Sequence, residues 1–279
     1  MTAEAPDGAP AEPAAADPAV AEPAAADRAP ARGGPSKAPE KPEIDEAELF
    51  REDLTPLILG TALGARTLAR CITRVHVEGD VEAIPKSGPV ILASNHISNA
   101  DPVIIGAWLT PRLGRRIHWL GKKEMFDWPI VGWMARNGGV VPVDRGAADV
   151  EAFRLAQRVL AAGHVLMVFP EGTRSPTGEL QEPKDGLAML ALRSNATIVP
   201  IGVSNTDRVW RKGSPLPRPG GHATMRIGEP FRVADQLPAG IDRKSQKSAA
   251  TDLIMRRIAA LLDERHRGPY GDGDQSVEG

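Results

Sequence analysis

An apolar run that leads through a polar turn into a helix start decides the fold of this chain: Pro89-Val90-Ile91-Leu92-Ala93-Ser94-Asn95-His96-Ile97-Ser98-Asn99-Ala100-Asp101-Pro102. The run has the length of a β-strand. Asp101 and Pro102 suit the first turn of a helix, where aspartate accepts free backbone N–H groups and proline has none to lose. The polar residues between are therefore predicted to lie on a strand-to-helix turn, where α/β proteins often place their chemistry.

His96 and Asp101 flank this predicted turn, close enough for the carboxylate to orient the imidazole. A base held in this way takes a proton from a hydroxyl near neutral pH. The simpler interpretation is that Asp101 only caps the helix and that His96 is a polar turn residue. One histidine and one aspartate at this spacing often occur by chance, so the stretch alone leaves both interpretations open.

The rest of the chain alternates apolar runs of strand length with amphipathic segments. It predicts an α/β fold, a single domain with a mostly parallel central sheet flanked by helices, plus an N-terminal amphipathic helix. Pro142 indicates that its strand is bent or lies at an edge of the sheet. Strands are predicted at residues 75–79, 90–93, 117–120, 140–143, 165–169, 197–203 and 223–227, and helices at 102–109, 129–136, 149–162, 187–192 and 245–266.

Residues 1–42 are rich in proline, alanine and acidic side chains, and the sequence Ala11–Asp17 recurs unchanged as Ala21–Asp27. With almost no large apolar side chain, this segment cannot bury enough surface to offset its ordering entropy, so a disordered tail is predicted. Residues 1–50 carry a net charge of −7, which leaves +5 on the remainder. The folded part therefore suits an anionic membrane surface or phosphorylated ligands, and is too weakly basic to indicate nucleic acid.

Residues 43–72 form a predicted amphipathic helical segment. Its apolar run from Leu54 to Ala65 covers 12 residues, fewer than the roughly 20 that a membrane-spanning helix needs. Two interpretations stay open: an interfacial helix lying on a bilayer, or an ordinary helix docked on the domain. Residues 73–267 are predicted to form the main domain, followed by a flexible polar tail at 268–279.

Several function classes are excluded by what the sequence lacks. Cys71 is the single cysteine, so neither an intramolecular disulfide framework nor a cysteine-based zinc cluster is possible. The histidines are scattered, which argues against a metal site. No secretory signal pattern, nucleophile elbow or nucleotide-binding glycine loop is present. A chain with a single cysteine is expected, by default, to be a protein of the cytosolic side.

Two further stretches place polar residues where predicted strands end. Phe169-Pro170-Glu171-Gly172-Thr173-Arg174-Ser175 follows the apolar run at 165–169, and Arg145 comes just after the run at 140–143. Glycine lets a backbone approach a ligand closely, and arginine presents a planar donor fork that matches phosphate. Two arginines near a histidine–aspartate pair predict a base beside an anion pocket, which suits a phosphorylated alcohol.

Four ordered motifs resemble those of the glycerolipid acyltransferase family: Asn95-His96-x-Ser98-x-x-Asp101, Gly139 to Arg145, Phe169 to Ser175, and Val199-Pro200-Ile201-Gly202. The similarity is strongest to the bacterial 1-acylglycerol-3-phosphate acyltransferases and covers roughly residues 70–230. Many relatives carry a bulky apolar residue where this chain has Asn99-Ala100. That departure puts the shape of the substrate pocket in doubt.

The resemblance implies a role for each matching residue. His96 would be the general base and Asp101 its support, in direct acyl transfer without an acyl-enzyme. The substrate-binding residues that the motifs imply are Asn95, Ser98, Lys122, Arg145, Glu171, Gly172, Thr173, Arg174 and Pro200, with Lys123, Lys184 and Gly186 as weaker matches. Pro200 would lie on the acyl-donor side, and Ser98 would support the turn. The acceptor-phosphate site would consist of Arg145, Glu171, Gly172 and Arg174, with a lysine nearby.

The implied partners are a lysophospholipid acceptor, an acyl thioester donor (acyl-CoA or acyl-carrier protein) and the cytoplasmic face of the cell membrane, bound peripherally. No metal and no resident cofactor are implied. Two alternatives stay open: transfer to another lysolipid, glycolipid or amino-acid lipid by the same base, and a non-catalytic lipid-binding protein on the membrane surface.

Overall fold

A mostly parallel β-sheet of seven strands organises the computed structural model, which describes residues 51, 53–127, 129–143, 148–184, 186–238 and 240–271. Across the sheet the order is β1-β7-β6-β2-β5-β3-β4, and every neighbouring pair is parallel except β6 and β7. The α/β prediction is confirmed. The strands are β1 Thr73–Glu78, β2 Val90–Ser94, β3 Ile117–Lys122, β4 Val140–Val143, β5 Val165–Val168, β6 Thr197–Ser204 and β7 Gly221–Ile227.

Helices cover both faces of this sheet. The described helices are α1 Pro56–Ile72, α2 Asp101–Leu113, α3 Pro129–Asn137, α4 Ala148–Ala161, α5 Gly186–Ser194, α6 Thr206–Val209, α7 Val233–Gln236 and α8 Arg243–Ala259. Short 3₁₀ turns occur at Val81–Ala83, Lys123–Asp127, Glu264–His266 and Gly268–Tyr270.

Strand β2 shows why the central apolar runs are continuous rather than alternating. Ile91 and Ala93 point into a core formed with α4, α5 and α8, whereas Val90 and Leu92 point into a second core formed mainly with α2. Both faces of the strand are therefore buried, as is usual for parallel sheets covered by helices.

The sheet brings the functional segments to one edge. β2 lies between β5 and β6 and runs parallel to both, with Leu92 opposite Met167 on one side and Val199 on the other. The chain segments that leave the carboxyl ends of these three strands therefore start side by side. In open α/β sheets such an edge commonly carries the ligand site.

Strand β4 lies at the edge of the sheet, as Pro142 predicted. The prediction for the terminal helix was too long: α8 ends at Ala259, and the chain then bends into the turn Glu264–His266. Tertiary contacts explain the early end, because Asp263 lies in extended backbone and its carboxylate accepts hydrogen bonds from Asn205 and Arg226.

Helix α1 begins with the side chain of Thr55 accepting a hydrogen bond from the Ile58 N–H at 3.2 Å. Ile58 and Ala62 are buried, and the guanidinium groups of Arg66 and Arg70 lie over the ring of Trp108 on α2. The helix is therefore docked on the domain.

The outer side of α1 exposes Leu57, Leu63 and Leu68. None of the described helices is both long enough and apolar enough to cross a membrane. The predicted tail at 1–42 and the last eight positions, 272–279, lie outside the described residues.

Candidate active site

His96 and Asp101 meet on the turn that leaves β2. The Nδ1 atom of His96 lies 2.8 Å from Oδ2 of Asp101, and Asp101 is fully buried as the first residue of α2. The same oxygen accepts the backbone N–H groups of Ile97 and Ser98, each at 2.7 Å. Asp101 therefore binds the N–H groups of the turn before it, and not those of the helix that it was predicted to cap.

This arrangement sets the state of the imidazole. A carboxylate that accepts at Nδ1 places the hydrogen on that nitrogen, which leaves the lone pair of Nε2 to accept a proton. The ring of Phe169, just after β5, stacks on His96 with centroids 4.0 Å apart and planes inclined by 16°. The position and tautomer of His96 are thus both fixed by neighbouring groups.

Glu171 is buried and holds the turn from the β5 side. Its Oε1 accepts the backbone N–H of His96 at 2.6 Å, and its Oε2 accepts that of Gln181 at 3.0 Å. Burial raises the pKa of Glu171 to about 7; the two N–H groups oppose this shift, and the nearby Asp101 charge adds to it. These two hydrogen bonds link Glu171 to the turn. Its role as a phosphate ligand stays a prediction.

Ser98 supports the turn, as the resemblance implies, and Asn95 links the turn to β6. Both are fully buried. The amide of Asn95 pairs with the backbone of Val203, donating at 2.9 Å and accepting at 2.8 Å. The hydroxyl of Ser98 lies 2.7 Å from the carbonyl oxygens of both Thr206 and Trp210. With these hydrogen bonds the two side chains hold the turn, and their contact with substrate stays a prediction.

The loop after β5 reaches the same turn. The guanidinium of Arg174 donates a hydrogen bond to the side-chain oxygen of Asn99, and the Ser175 N–H donates to the carbonyl of His96 at 2.7 Å. Gly172 has a φ of +66°, and a Cβ there would come within 2.8 Å of the Lys184 side chain. The positive φ favours glycine at this position, whereas the flexible Lys184 side chain could move aside. Thr173 is exposed on the loop.

The remaining predicted residues are less close to His96 or lie outside the described part. Pro200 is buried in β6 opposite Ala93, so it belongs to the sheet core. Arg145 lies outside the described residues, as does the side chain of Lys122, whose backbone ends β3. Their roles stay predictions.

Thr206 was missed by the sequence reasoning. It is fully buried and donates its hydroxyl hydrogen to Oδ1 of Asp101, with the oxygens 2.5 Å apart. A signal was present, because Asn205-Thr206-Asp207 is a polar run directly after β6. The sequence indicated no role for Asn99, whose side-chain oxygen accepts the hydrogen bond from Arg174 and so links the loop after β5 to the turn.

A cavity of about 150 Å³ opens beside the turn, lined by Ile97, Gly178, Arg211 and Lys212 among others. The ammonium of Lys212 donates to the carbonyl of Arg174 at 2.6 Å. The lining thus includes two cationic side chains, those of Arg211 and Lys212, and the carboxylate of Asp207. Within the described ranges, no group of three or more potential metal ligands is close enough to hold an ion.

Known proteins resemble this chain in sequence and in fold. The acyltransferase family model matches residues 74–204. The chloroplastic 1-acyl-sn-glycerol-3-phosphate acyltransferase of Arabidopsis thaliana is 31% identical over 144 residues, which are 50% of this chain and 39% of that protein. A lyso-ornithine lipid O-acyltransferase of Pseudomonas aeruginosa is 31% identical over 154 residues, 54% of this chain and 56% of that protein.

The crystal structure of a 1-acyl-sn-glycerophosphate acyltransferase from Thermotoga maritima superposes with a TM-score of 0.57 at 28% identity, covering 73% of this chain and 79% of that one. The chain spans about half the length of the curated relatives it matches. Residues 74–204 therefore match an acyltransferase domain, and the fold is similar to that of the Thermotoga enzyme.

Proposed function

We propose that this chain is a 1-acylglycerol-3-phosphate O-acyltransferase, which moves an acyl chain from a thioester to the free hydroxyl of lysophosphatidate and forms phosphatidic acid. The observation that carries the proposal is the buried Asp101 carboxylate 2.8 Å from Nδ1 of His96, on a turn with cationic neighbours. The names of the Arabidopsis relative and of the Thermotoga structure support the same activity.

In the proposed reaction His96 is the general base. Its Nε2 takes the proton of the acceptor hydroxyl while the oxygen attacks the carbonyl carbon of the thioester. The C–S bond breaks, and the departing thiolate takes the proton back from the imidazolium. Asp101 stabilises the transient positive charge on His96, which is the contribution of the carboxylate in histidine-based catalysis.

We propose that the acceptor phosphate binds near Gly172, Thr173 and Arg174, with Arg145 and Lys122 completing the site. Arg174 supports this because its guanidinium reaches Asn99, three residues from His96. The carboxyl ends of β3 and β4, at Lys122 and Val143, lie at the same edge of the sheet as the turn. A phosphate held there would bring the lipid hydroxyl near the base.

The donor is proposed to be acyl-CoA or acyl-carrier protein, used as a co-substrate without a resident cofactor or metal. Pro200 is proposed to lie on the acyl-donor side, because the motif Val199-Pro200-Ile201-Gly202 resembles the fourth motif of the family. Peripheral association with the cytoplasmic face of the membrane is proposed from the exposed leucines on α1 and from the net charge of +5 on residues 51–279. Such a helix and charge suit an anionic bilayer surface.

A second candidate is the same transfer to an amino-acid lipid. The Pseudomonas relative, named as a lyso-ornithine lipid O-acyltransferase, supports it at the same identity as the Arabidopsis protein. Both candidates use His96 identically and differ in whether the acceptor carries a phosphate. The acceptor therefore distinguishes them.

The test supplies the purified full chain with lysophosphatidate or lyso-ornithine lipid and a panel of acyl thioesters, and follows release of free thiol. Lysophosphatidate is expected to be the preferred acceptor. Preference for the ornithine lipid supports the second candidate, and absence of thiol release with every acceptor contradicts both candidates in favour of non-catalytic lipid binding.

Arg174→Ala tests the phosphate assignment in the same assay. We expect the KM for lysophosphatidate to rise about tenfold or more, because a guanidinium–phosphate pair is lost, with little change for a neutral lysolipid. Arg218→Ala, an exposed arginine on the loop before β7, is the matched control. An equal loss for phosphorylated and neutral acceptors would show that Arg174 does not bind the phosphate.

A further inference from the structure

The short turn Asp263–His266, beyond the segment matched by the family, ties together the two loops that flank the active-site turn. His266 is fully buried, and its Nδ1 lies 2.5 Å from the carbonyl oxygen of Gly178. Its Nε2 accepts the backbone N–H of Asn205 at 3.0 Å, and its own carbonyl accepts the Leu180 N–H at 2.8 Å. One side chain therefore fixes the loop after β5 and the turn after β6.

Asn205 needs this support because its backbone lies in the left-handed region, with φ at +66°. A non-glycine residue in that region is strained unless its surroundings hold it. Its side-chain amide donates to Asp263 at 2.9 Å and accepts from Arg265 at 2.8 Å. Three hydrogen bonds from the turn Asp263–His266 thus hold one strained residue.

Thr206, the next residue, links Asn205 to Asp101 and His96. Thr206 donates its hydroxyl hydrogen to Oδ1 of Asp101 over 2.5 Å, and its carbonyl lies 2.7 Å from the hydroxyl of Ser98. Asp101 in turn binds Nδ1 of His96. A continuous chain of contacts therefore runs from His266 through Asn205, Thr206 and Asp101 to His96.

We propose that His266 is a positioning residue for the acyl transfer, holding Asn205 and Thr206 so that the Thr206 hydroxyl orients the Asp101 carboxylate toward His96. The proposal rests on the proposed function for its kinetic consequence. Its geometric content, the alignment of Asp101 with His96, is independent of which substrate is used. Nothing in the sequence pattern of residues 245–266 pointed to this role.

The contacts also specify the form of the ring. A hydrogen on Nδ1 donates to Gly178, and the lone pair of Nε2 accepts from Asn205, so the neutral ring fits both bonds. Asp207, Asp263 and Arg265 are the charged groups that face it, with Asp207 Oδ1 3.8 Å from Nε2 and paired with Arg265 at 2.9 Å. Burial lowers the pKa of His266, which favours the neutral form.

Two substitutions separate the bonds that His266 makes. Gln places an amide oxygen near the position of Nε2 and keeps the acceptor for Asn205. Asn places an amide donor near Nδ1 and keeps only the bond to Gly178. We expect His266→Gln to retain kcat within about threefold and His266→Asn to lower it at least about tenfold, with both KM values unchanged within about twofold. His222→Asn, at an exposed histidine on β7, is the control.

A double variant tests whether the effect passes through Thr206. Thr206→Val removes the hydroxyl while keeping the shape of the side chain. If both residues act through the Thr206–Asp101 contact, adding His266→Asn to Thr206→Val lowers kcat by no more than about threefold further. Losses that multiply would contradict the proposal, as would wild-type kcat in folded His266→Asn.

An NMR measurement that needs no substrate tests the positioning role of His266 independently of the proposed function. The Nδ1 proton of His96, hydrogen-bonded to Asp101, is followed by NMR. It is expected to keep its resonance position in His266→Gln and to shift or broaden in His266→Asn. Should His266→Asn fail to fold, Thr206→Val, which removes the hydroxyl bonded to Asp101, is expected to shift the same resonance. An unchanged resonance in either folded variant overturns the proposal, whether or not any acceptor is used.

Discussion

At the residue scale, Asp101 explains how the His96 turn is built. Its buried carboxylate accepts hydrogen bonds from the His96 ring, two backbone N–H groups and the Thr206 hydroxyl. Only a side chain with acceptors and no donors satisfies all four partners. These four hydrogen bonds compensate for the burial of the carboxylate.

The pH dependence of stability follows from Glu171. Its pKa is raised by burial to about 7 in the native state, whereas in the unfolded chain it titrates near 4.5. Between these values the native state keeps a proton that the unfolded state has lost. Its stabilising contribution is therefore complete below about pH 4.5 and is lost as the pH rises through about 7.

Glutamine does not titrate, so Glu171→Gln is expected to remove this pH-dependent contribution to stability. Urea unfolding from pH 4.5 to 8 should show the wild type losing stability relative to the variant, on the order of 1–3 kcal/mol. Glu179→Gln, at an exposed position on the neighbouring loop, should follow the wild-type curve. A constant difference between wild type and Glu171→Gln at every pH would contradict the raised pKa.

The sequence predicted which residues form this turn but not the partners of every side chain, for a physical reason. The meeting of His96 and Asp101 followed from their spacing on a strand-to-helix turn, and the geometry agrees. Asn95 and Ser98 stand on the same turn, yet their side chains point inward to partners from β6 and the loop after it. A sequence shows that a side chain is polar but not which distant backbone group it pairs with.

At the element scale, helix α1 combines the two interpretations that the sequence left open. Its inner side docks on the domain through Ile58 and Ala62, while Leu57, Leu63 and Leu68 remain 58%, 45% and 60% exposed. Exposed leucines on a helix without acidic residues suit contact with an anionic bilayer. The peripheral association proposed above depends on this outer side.

The triple variant Leu57→Gln, Leu63→Gln and Leu68→Gln tests that proposal. Glutamine preserves helix propensity and removes the apolar surface. We expect binding to vesicles containing phosphatidylglycerol to weaken at least about tenfold, as loss of inserted apolar area requires. Leu216→Gln, at a leucine that is 70% exposed on a loop, should bind normally. Unchanged sedimentation of the triple variant with vesicles would contradict a role for α1.

The terminal helix shows the limit of periodicity at this scale. The inward-facing pattern of Ile254 and Ile258 was interpreted correctly, because both are buried against the sheet. The pattern was extended too far because Leu261 and Leu262 continue it, although Asp263 is bound to Asn205 and Arg226. Local sequence indicates where a helix is favourable, while the tertiary contact decides where it ends.

At the scale of the whole molecule, continuous apolar runs predicted a parallel sheet with both faces covered. The strand order was not predicted, and neither was the antiparallel β6–β7 pair. Register and order depend on contacts between segments far apart in the chain, such as Thr73 with Gly221. The active-site edge was still predicted in part, because parallel strands end their runs at a common edge.

Removal of residues 1–42 tests the predicted division of the chain. The segment is rich in proline and alanine and has almost no large apolar side chain. The truncated protein is expected to keep kcat and the melting temperature of the full chain, with changes below about twofold and a few degrees. Loss of activity or of cooperative unfolding would show that the tail is part of the folded domain.

The central claim is that His96 is the base for acyl transfer, and His96→Ala tests it most directly. Purified wild type and variant are given lysophosphatidate and a preferred acyl thioester, and free thiol is measured, with circular dichroism confirming that the variant is folded. The account predicts a loss of at least about 100-fold in kcat, as expected for removal of a general base. Near-normal thiol release by folded His96→Ala would contradict it.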